Sequence, residues 1–441
     1  MSLKSKLLST ALRLFLSNGG QRLFRNGQEL KRKLRGQGHI VTVYLRVDDP
    51  YSLFLLRRLP DLKSAFDIEL QIRIVDDSVP DKFFPARNDL AHYARHDGHL
   101  IARLLDETFI DQPLTNLLAK ATSAATLLAD TPGDTKAVLD IVEAYWKGDE
   151  QELTRYIESA IVRECNDGAR RAGENATELL ARGHYNSAML HYAGEWYWGL
   201  DRLHYLAERL DELGLASPSG AAARHRIDAI FSQLNPPPHD TDAPAGGIAL
   251  DYFHSFRSPY AYIALERTFA LADRLGLTLR IWPVLPMAQR GLPVPRAKQL
   301  YIVRDVNREA KRLGIPFGNI SDPFAAAERC IALFIEARKL GREREWLLTV
   351  GRAVWADGID ITGTDQRRRL ARGIGIPDDR IDAAEHSDQA LAFAAENRQR
   401  LAAAGLWGVP SFVCGDVALW GQDRLGLLVR LVAEKSARGF V

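Results

Sequence analysis

Apolar and polar residues alternate over Gly247 to Phe256 (GIALDYFHSF), and the run is rich in β-formers, so it predicts a strand. Ser258-Pro259 then opens a helical stretch through Tyr262, Leu265, Phe269 and Leu271. Serine caps a helix N-terminus well, and proline is favoured at the first helical position. Leu277 to Val284 (LTLRIWPV) reads as a second strand, completing a β-α-β unit with parallel strands and a right-handed crossover. Residues 296–400 keep helical periodicity almost throughout, with breaks near Gly314-Ile315-Pro316, Gly358 and Gly373 to Pro377. Ser411 to Val413 and Val417 to Trp420 predict a hairpin around Gly415-Asp416, followed by a last helix from Asp423. The order β-α-β, long helical insertion, β-β-α is that of an α/β thioredoxin-like fold with an inserted all-helical subdomain.

The same pattern occurs twice. VTVYLRVDDPYSLFLL (Val41 to Leu56) answers ALDYFHSFRSPYAYIAL (Ala249 to Leu265), and Trp198 to Leu203 (WGLDRL) answers Trp420 to Leu425 (WGQDRL), identical at five of six places. Asp49 to Trp198 spans 149 residues and Ser258 to Trp420 spans 162, so two landmarks recur in order at similar separation. That is the signature of a tandem duplication. Between the copies, Asn235 to Gly247 reads NPPPHDTDAPAGG; three successive prolines forbid helix and the remainder cannot build a core. The expected layout is a basic extension over 1–38, a first thioredoxin-like domain over 39–213, a linker over 214–247 that is proline-rich from 235, and a second domain over 248–436.

Composition sharpens this picture. With 46% hydrophobic and 26% charged residues, the chain has ample material for sizeable cores. Lys+Arg (58) nearly cancels Asp+Glu (56), which argues against a nucleic-acid coat. No two of Cys165, Cys330 and Cys414 lie within three residues of each other, so a Cys-x-x-Cys pair, a zinc ribbon and a disulfide framework are all excluded; a reduced, cytoplasmic setting fits. The first 38 residues hold nine basic residues against Glu29, a local charge of +8. Leu7, Leu8, Ala11, Leu12, Phe15 and Leu16 recur there at helical spacing, predicting a basic amphipathic helix. It packs on the first domain with its basic side in water, or is a transit peptide, or lies at a membrane surface. No apolar run approaches the ~20 residues of a membrane span, and no secretory leader pattern is evident.

Ser258, taken alone, reads as a helix cap. His254, on the preceding strand, opens a serine-hydrolase reading, but the Gly-x-Ser-x-Gly elbow is missing. His92, His96 and His99 share helical spacing without a carboxylate or thiol ligand following them, and read as surface histidines. Trp355 and Trp420 read as core or pocket-wall aromatics, and Cys414 as a buried thiol.

Four segments in order, FRSPYAYIA (Phe256 to Ala264), KQLYIVRDVNREAKRLGIPF (Lys298 to Phe317), VWADGIDI (Val354 to Ile361) and GVPSFVCGDVALWGQDRL (Gly408 to Leu425), resemble the 2-hydroxychromene-2-carboxylate isomerases. These are relatives of the kappa-class glutathione transferases in the DsbA-like thioredoxin superfamily. The resemblance implies a glutathione-dependent isomerase or transferase acting on an aromatic or conjugated carbonyl substrate. Where the superfamily's oxidoreductases carry Cys-Pro-x-Cys, this chain has Ser258-Pro259-Tyr260-Ala261, so disulfide exchange by a protein dithiol is chemically impossible at this position. By the same resemblance, Ser258 would hydrogen-bond the sulfur of glutathione, and Pro410 would be a cis-proline presenting Val409 as a backbone clamp. Gln422 and Asp423 would hold the γ-glutamyl end, and Lys298 the glycyl carboxylate. The asparagine that the family places just before this lysine's helix is absent from RGLPVPRAK (Arg290 to Lys298).

In the first copy, Asp49 stands at the Ser258 position and Asn186 near the Pro410 position, with no proline in that turn. A carboxylate there would repel a thiolate, so this copy is expected not to bind glutathione productively; it would be a structural partner or a site for a different ligand. The implied partner is a small aromatic or conjugated molecule rather than nucleic acid. The chain would act as a monomer paired internally or as a homodimer. The alternative is a non-catalytic tandem scaffold, associated with a membrane surface through residues 1–38.

Overall fold

A computed structural model describes residues 10, 12–84, 86–129, 135–161, 165–235, 247–322 and 324–437. It contains two compact units, Arg25–Asn235 and Pro236–Val441 with Met1–Phe24.

In the first unit, helix α1 (Asn18–Leu34) contributes its part from Arg25 onward. Strand β1 (Ile40–Leu45), helices α2 (Pro50–Leu56) and α3 (Leu59–Ala65) and strand β2 (Glu69–Ile74) form the β-α-β part. The insertion is α4 (Arg87–Leu104), α5 (Leu118–Ala129), α6 (Thr135–Lys147), α7 (Glu150–Ile161) and α8 (Cys165–Ala181). Strands β3 (Met189–Tyr192) and β4 (Glu195–Trp198), then α9 (Leu203–Glu212) and α10 (Ala221–Leu234), complete it. Sheet order is β2-β1-β3-β4, with β1 parallel to β2 and the other pairs antiparallel. Gly168 of α8 packs against α5 so closely that a Cβ would stand 2.4 Å from the Ser123 carbonyl oxygen. Backbone cannot yield as a flexible side chain can. Gly168→Ala should therefore cost about 1–3 kcal/mol in denaturant unfolding despite alanine's better helix propensity.

The second unit repeats the plan. Strand β5 (Ala249–His254), helix α11 (Pro259–Leu275) and strand β6 (Thr278–Pro283) are followed by α12 (Arg296–Leu313), α13 (Ala327–Lys339), α14 (Glu343–Trp355), α15 (Thr364–Gly373), α16 (Asp378–Glu385) and α17 (Gln389–Ala403). Strands β7 (Ser411–Cys414) and β8 (Val417–Trp420) lead to α18 (Leu425–Ala437). Sheet order β6-β5-β7-β8 and strand directions match the first unit. Both are thioredoxin-like, as expected. Among the described helices none is long and apolar enough to cross a membrane.

Two expectations are corrected. The linker expected over 214–247 instead contains α10, whose Ala223, Ile227, Ile230 and Leu234 are buried in the first unit; residues 236–246 lie outside the described residues. The N-terminal extension packs on the first unit only from Arg25, which pairs with Glu195 at 3.0 Å and Glu212 at 2.9 Å. Leu16 is buried in the second unit, where its carbonyl accepts from Asn307 Nδ2 and Lys311 Nζ, each at 3.1 Å. Lys4, Lys6, Leu7, Leu8 and Ala11 lie outside the described residues.

Candidate functional site

In the second unit, the chain leaves β5 and turns into α11 at Ser258, whose extended backbone (φ −98°, ψ 110°) makes it the N-cap. Its Oγ accepts from the Ala261 N–H at 3.1 Å, and Pro259 fills the first turn, where no backbone donor is needed. The loop before β7 brings Val409 to the same place. Ser258 Oγ lies 3.4 Å from the Val409 carbonyl oxygen, and the Val409–Pro410 peptide is cis. The Pro410 carbonyl accepts from the Gly421 N–H at 2.9 Å, tying the Gln422–Arg424 turn to this point. Ser258, Val409, Pro410 and the start of the last helical segment therefore form one cluster. The bond from Ser258 to Val409 is long, so this hydroxyl can turn towards an anion at the α11 N-terminus at little cost, where free N–H groups and the macrodipole favour negative charge.

Gln422 is oriented differently from expectation. Its side chain is buried, with Oε1 accepting from Arg267 Nη1 at 2.6 Å and Nε2 donating to Glu309 Oε2 at 2.8 Å. It anchors the turn to α11 and α12. Asp423 is partly exposed beside it and accepts from Gln422 Nε2.

Lys298 lies in the first turn of α12, its Nζ 5.9 Å from the ring centroid of Trp407. Burial pulls its pKa down to about 8. Trp407 packs on Trp420 with centroids 5.0 Å apart, and a Cβ on Gly408 would stand 2.5 Å from Trp420 Nε1, so glycine lets the two indoles close over the loop. Trp420 is thus a wall of the site, whereas Trp355 stacks on Phe317 elsewhere in the core. Trp407 and its neighbour Arg290 were not legible as site residues; a tryptophan two residues before the Val409–Pro410 bond was the available signal.

His254 Nδ1 meets Tyr252 Oη at 3.1 Å, and burial holds its pKa at about 3. The Ser258 hydroxyl is directed to Val409, so the serine-hydrolase arrangement does not form. Cys330 and Cys414 are buried, and burial pushes the Cys330 thiol up to about 12. His92, His96 and His99 are exposed on α4.

The first unit shows what the equivalent place becomes without these residues. Asp49 caps α2, accepting from the Tyr51 N–H at 3.1 Å, Ser52 Oγ at 2.9 Å and Ser187 Oγ at 2.7 Å. Burial pushes its carboxyl pKa up. Strand register makes Ala188, not Asn186, the counterpart of Pro410 in this unit: Ala188 immediately precedes β3, and its carbonyl accepts from the Gly199 N–H at 2.7 Å. Ala188 adopts φ 53°, so the backbone there follows another course.

Residues 249–433 match the family described as the DSBA-like thioredoxin domain. The 2-hydroxychromene-2-carboxylate isomerase of Sphingobium xenophagum is 25% identical over 190 residues, covering 41% of this chain and 95% of that protein. The enzyme of the same name from Pseudomonas putida is 25% identical over 198 residues, covering 41% and 91%. A solved structure of 2-hydroxychromene-2-carboxylate isomerase is 23% identical, covering 43% of this chain and 97% of that one, with a TM-score of 0.39.

Proposed function

With residues 249–433 forming a DsbA-like thioredoxin domain, we propose that the chain is a glutathione-dependent isomerase or transferase for an aromatic or conjugated carbonyl substrate, and that its second unit holds the active site. The observation that carries this reading is the Ser258 hydroxyl at the α11 N-terminus, 3.4 Å from the Val409 carbonyl, in a position that offers no protein thiol. Glutathione would supply the nucleophilic sulfur that adds to the conjugated system and, after bond rotation, leaves unchanged. Ser258 would donate a hydrogen bond to that sulfur and, with the helix N-terminus, hold it as thiolate without becoming a nucleophile itself. The Val409 backbone would pair with the extended tripeptide, Lys298 would face its glycyl carboxylate and Asp423 its ammonium group. Gln422 positions the turn from inside.

Calorimetry tests this reading: the expected stoichiometry is one glutathione per chain, and absence of binding at millimolar ligand contradicts it. The pH dependence has a fixed sign. Lys298 loses its proton as pH rises through about 8, so its contribution to affinity should be full below that value and fall above it. With S-methylglutathione, which has no thiol proton to release, binding near the same pH should take up protons, seen as buffer-dependent heats, since a bound carboxylate favours the charged lysine.

A second reading, association with a membrane surface, is favoured by one observation. On α1, Leu23, Leu30 and Leu34 are 76%, 59% and 79% exposed. Their spacing puts them on one face, with Arg22, Lys31, Lys33 and Arg35 exposed alongside. Co-sedimentation with anionic vesicles should be lost in Leu30→Glu; equal binding by the variant contradicts it.

A further inference from the structure

Beside the cluster described above, a half-buried guanidinium keeps one edge of its donors unused. Arg290 closes the short turn Met287–Arg290 after β6. Its Nη1 donates to the Trp407 carbonyl oxygen at 3.2 Å, while Nε and Nη2 are buried without a hydrogen-bond partner among the described residues. The indole Nε1 of Trp407 is buried without one as well. Lys298 approaches the same tryptophan from α12, with its Nζ 5.9 Å from the ring centroid. Burial lowers the Arg290 pKa to about 10, and the like charge of Arg398 on α17 adds to this. Buried donors left unmade cost about 1–3 kcal/mol each, and more when charged, so native proteins rarely keep them. Here positive groups gather round one indole, with no carboxylate among the contacts of Arg290 in the described residues.

The geometry of the unused pair is specific. Nε–H and Nη2–H lie on one edge of the guanidinium and point in parallel, which is the fork that accepts both oxygens of a carboxylate. We propose that Arg290, with Trp407 and Lys298, forms a carboxylate-binding seat two residues ahead of the Val409–Pro410 bond, in which Arg290 grips the anion side-on. The carboxylate can come from the glycyl end of glutathione or from an acidic aromatic co-substrate. The first source rests on the function proposed above; the seat itself does not. Arg290 also stands at the start of the segment that lacks the family's asparagine, so it supplies donors there.

Isothermal titration of the full chain with three probes tests the seat: glutathione, its glycyl ethyl ester, and benzoate. Arg290→Met removes the fork at similar length, and Arg290→Lys keeps the charge while losing the bidentate geometry. If the glycyl end occupies the seat, both variants bind glutathione at least tenfold more weakly, and the ester binds wild type and variants alike. If an aromatic acid occupies it, benzoate binding falls tenfold in both variants while glutathione binding is unchanged. Either pattern supports the seat. Benzoate binding that depends on Arg290, in a wild type that ignores glutathione, overturns the proposed function and keeps the seat. Glutathione and benzoate affinities equal in wild type, Arg290→Met and Arg290→Lys overturn the seat, as does a wild type that binds neither. Should Arg290→Met fail to fold, Arg290→Lys alone decides between these outcomes.

Discussion

Replacing Ser258 by alanine is expected to raise the thiol pKa of bound glutathione by about 1–2 units. A hydrogen bond to a charged group contributes ~1.5–3 kcal/mol, and one pKa unit corresponds to ~1.4 kcal/mol. At neutral pH the thiolate fraction, and with it turnover, would fall roughly tenfold to a hundredfold. The same substitution removes the N-cap bond to the Ala261 N–H, which is worth about 1 kcal/mol of stability. The two effects separate cleanly. Ser258→Asn retains a capping side chain, so it should restore most of the stability without restoring a hydroxyl. Ultraviolet absorbance of the thiolate against pH gives the first quantity and thermal unfolding the second. An unchanged thiol pKa in Ser258→Ala would show that the helix terminus alone holds the charge.

Glu309→Ala is expected to be the most destabilising change near the site. Glu309 is buried, pairs with Arg312 at 2.9 Å and accepts from Gln422 Nε2 at 2.8 Å, while Gln422 in turn accepts from Arg267. Burial already disfavours the charged form of Arg267, and Arg312 adds to this, whereas Glu309 counters it. Removing the carboxylate leaves buried positive charge uncompensated, at a cost of about 3–5 kcal/mol. For a domain of this size that is a drop of roughly 10 °C in Tm. Glu309→Gln keeps an acceptor for Gln422 and should lose less. Because the network fixes the turn that carries Asp423, glutathione affinity should fall along with stability in both variants, more steeply in the alanine.

Runs of β-forming residues between turn residues place β5 to β8 within a few residues of their observed bounds, although β5 and β7 bury more than alternate side chains. The thioredoxin-like order followed from those strands. The α10 helix was as legible as any other, with Ile227, Ile230 and Leu234 at helical spacing. The three prolines just beyond it drew the boundary too early. The place of Ala188 was hidden for a different reason: with no proline to count from, only strand pairing reveals which residue precedes β3. Ser258 is legible locally as a helix cap, whereas Val409 and Pro410 join it only through the family resemblance of GVPSFVCGDVALWGQDRL (Gly408 to Leu425). The inward turn of Gln422 and the buried edge of Arg290 depend on residues more than a hundred positions away, Glu309 and Trp407. No local pattern encodes them.

The most direct test of the central claim is a glutathione titration at neutral pH, followed by thiolate absorbance, on wild type, Ser258→Ala and Asp49→Ala. The expected result is one thiolate per chain in wild type, the same in Asp49→Ala, and little or none in Ser258→Ala. Thiolate formation that survives in Ser258→Ala but disappears in Asp49→Ala, or no binding by wild type at millimolar glutathione, would contradict a glutathione site at Ser258.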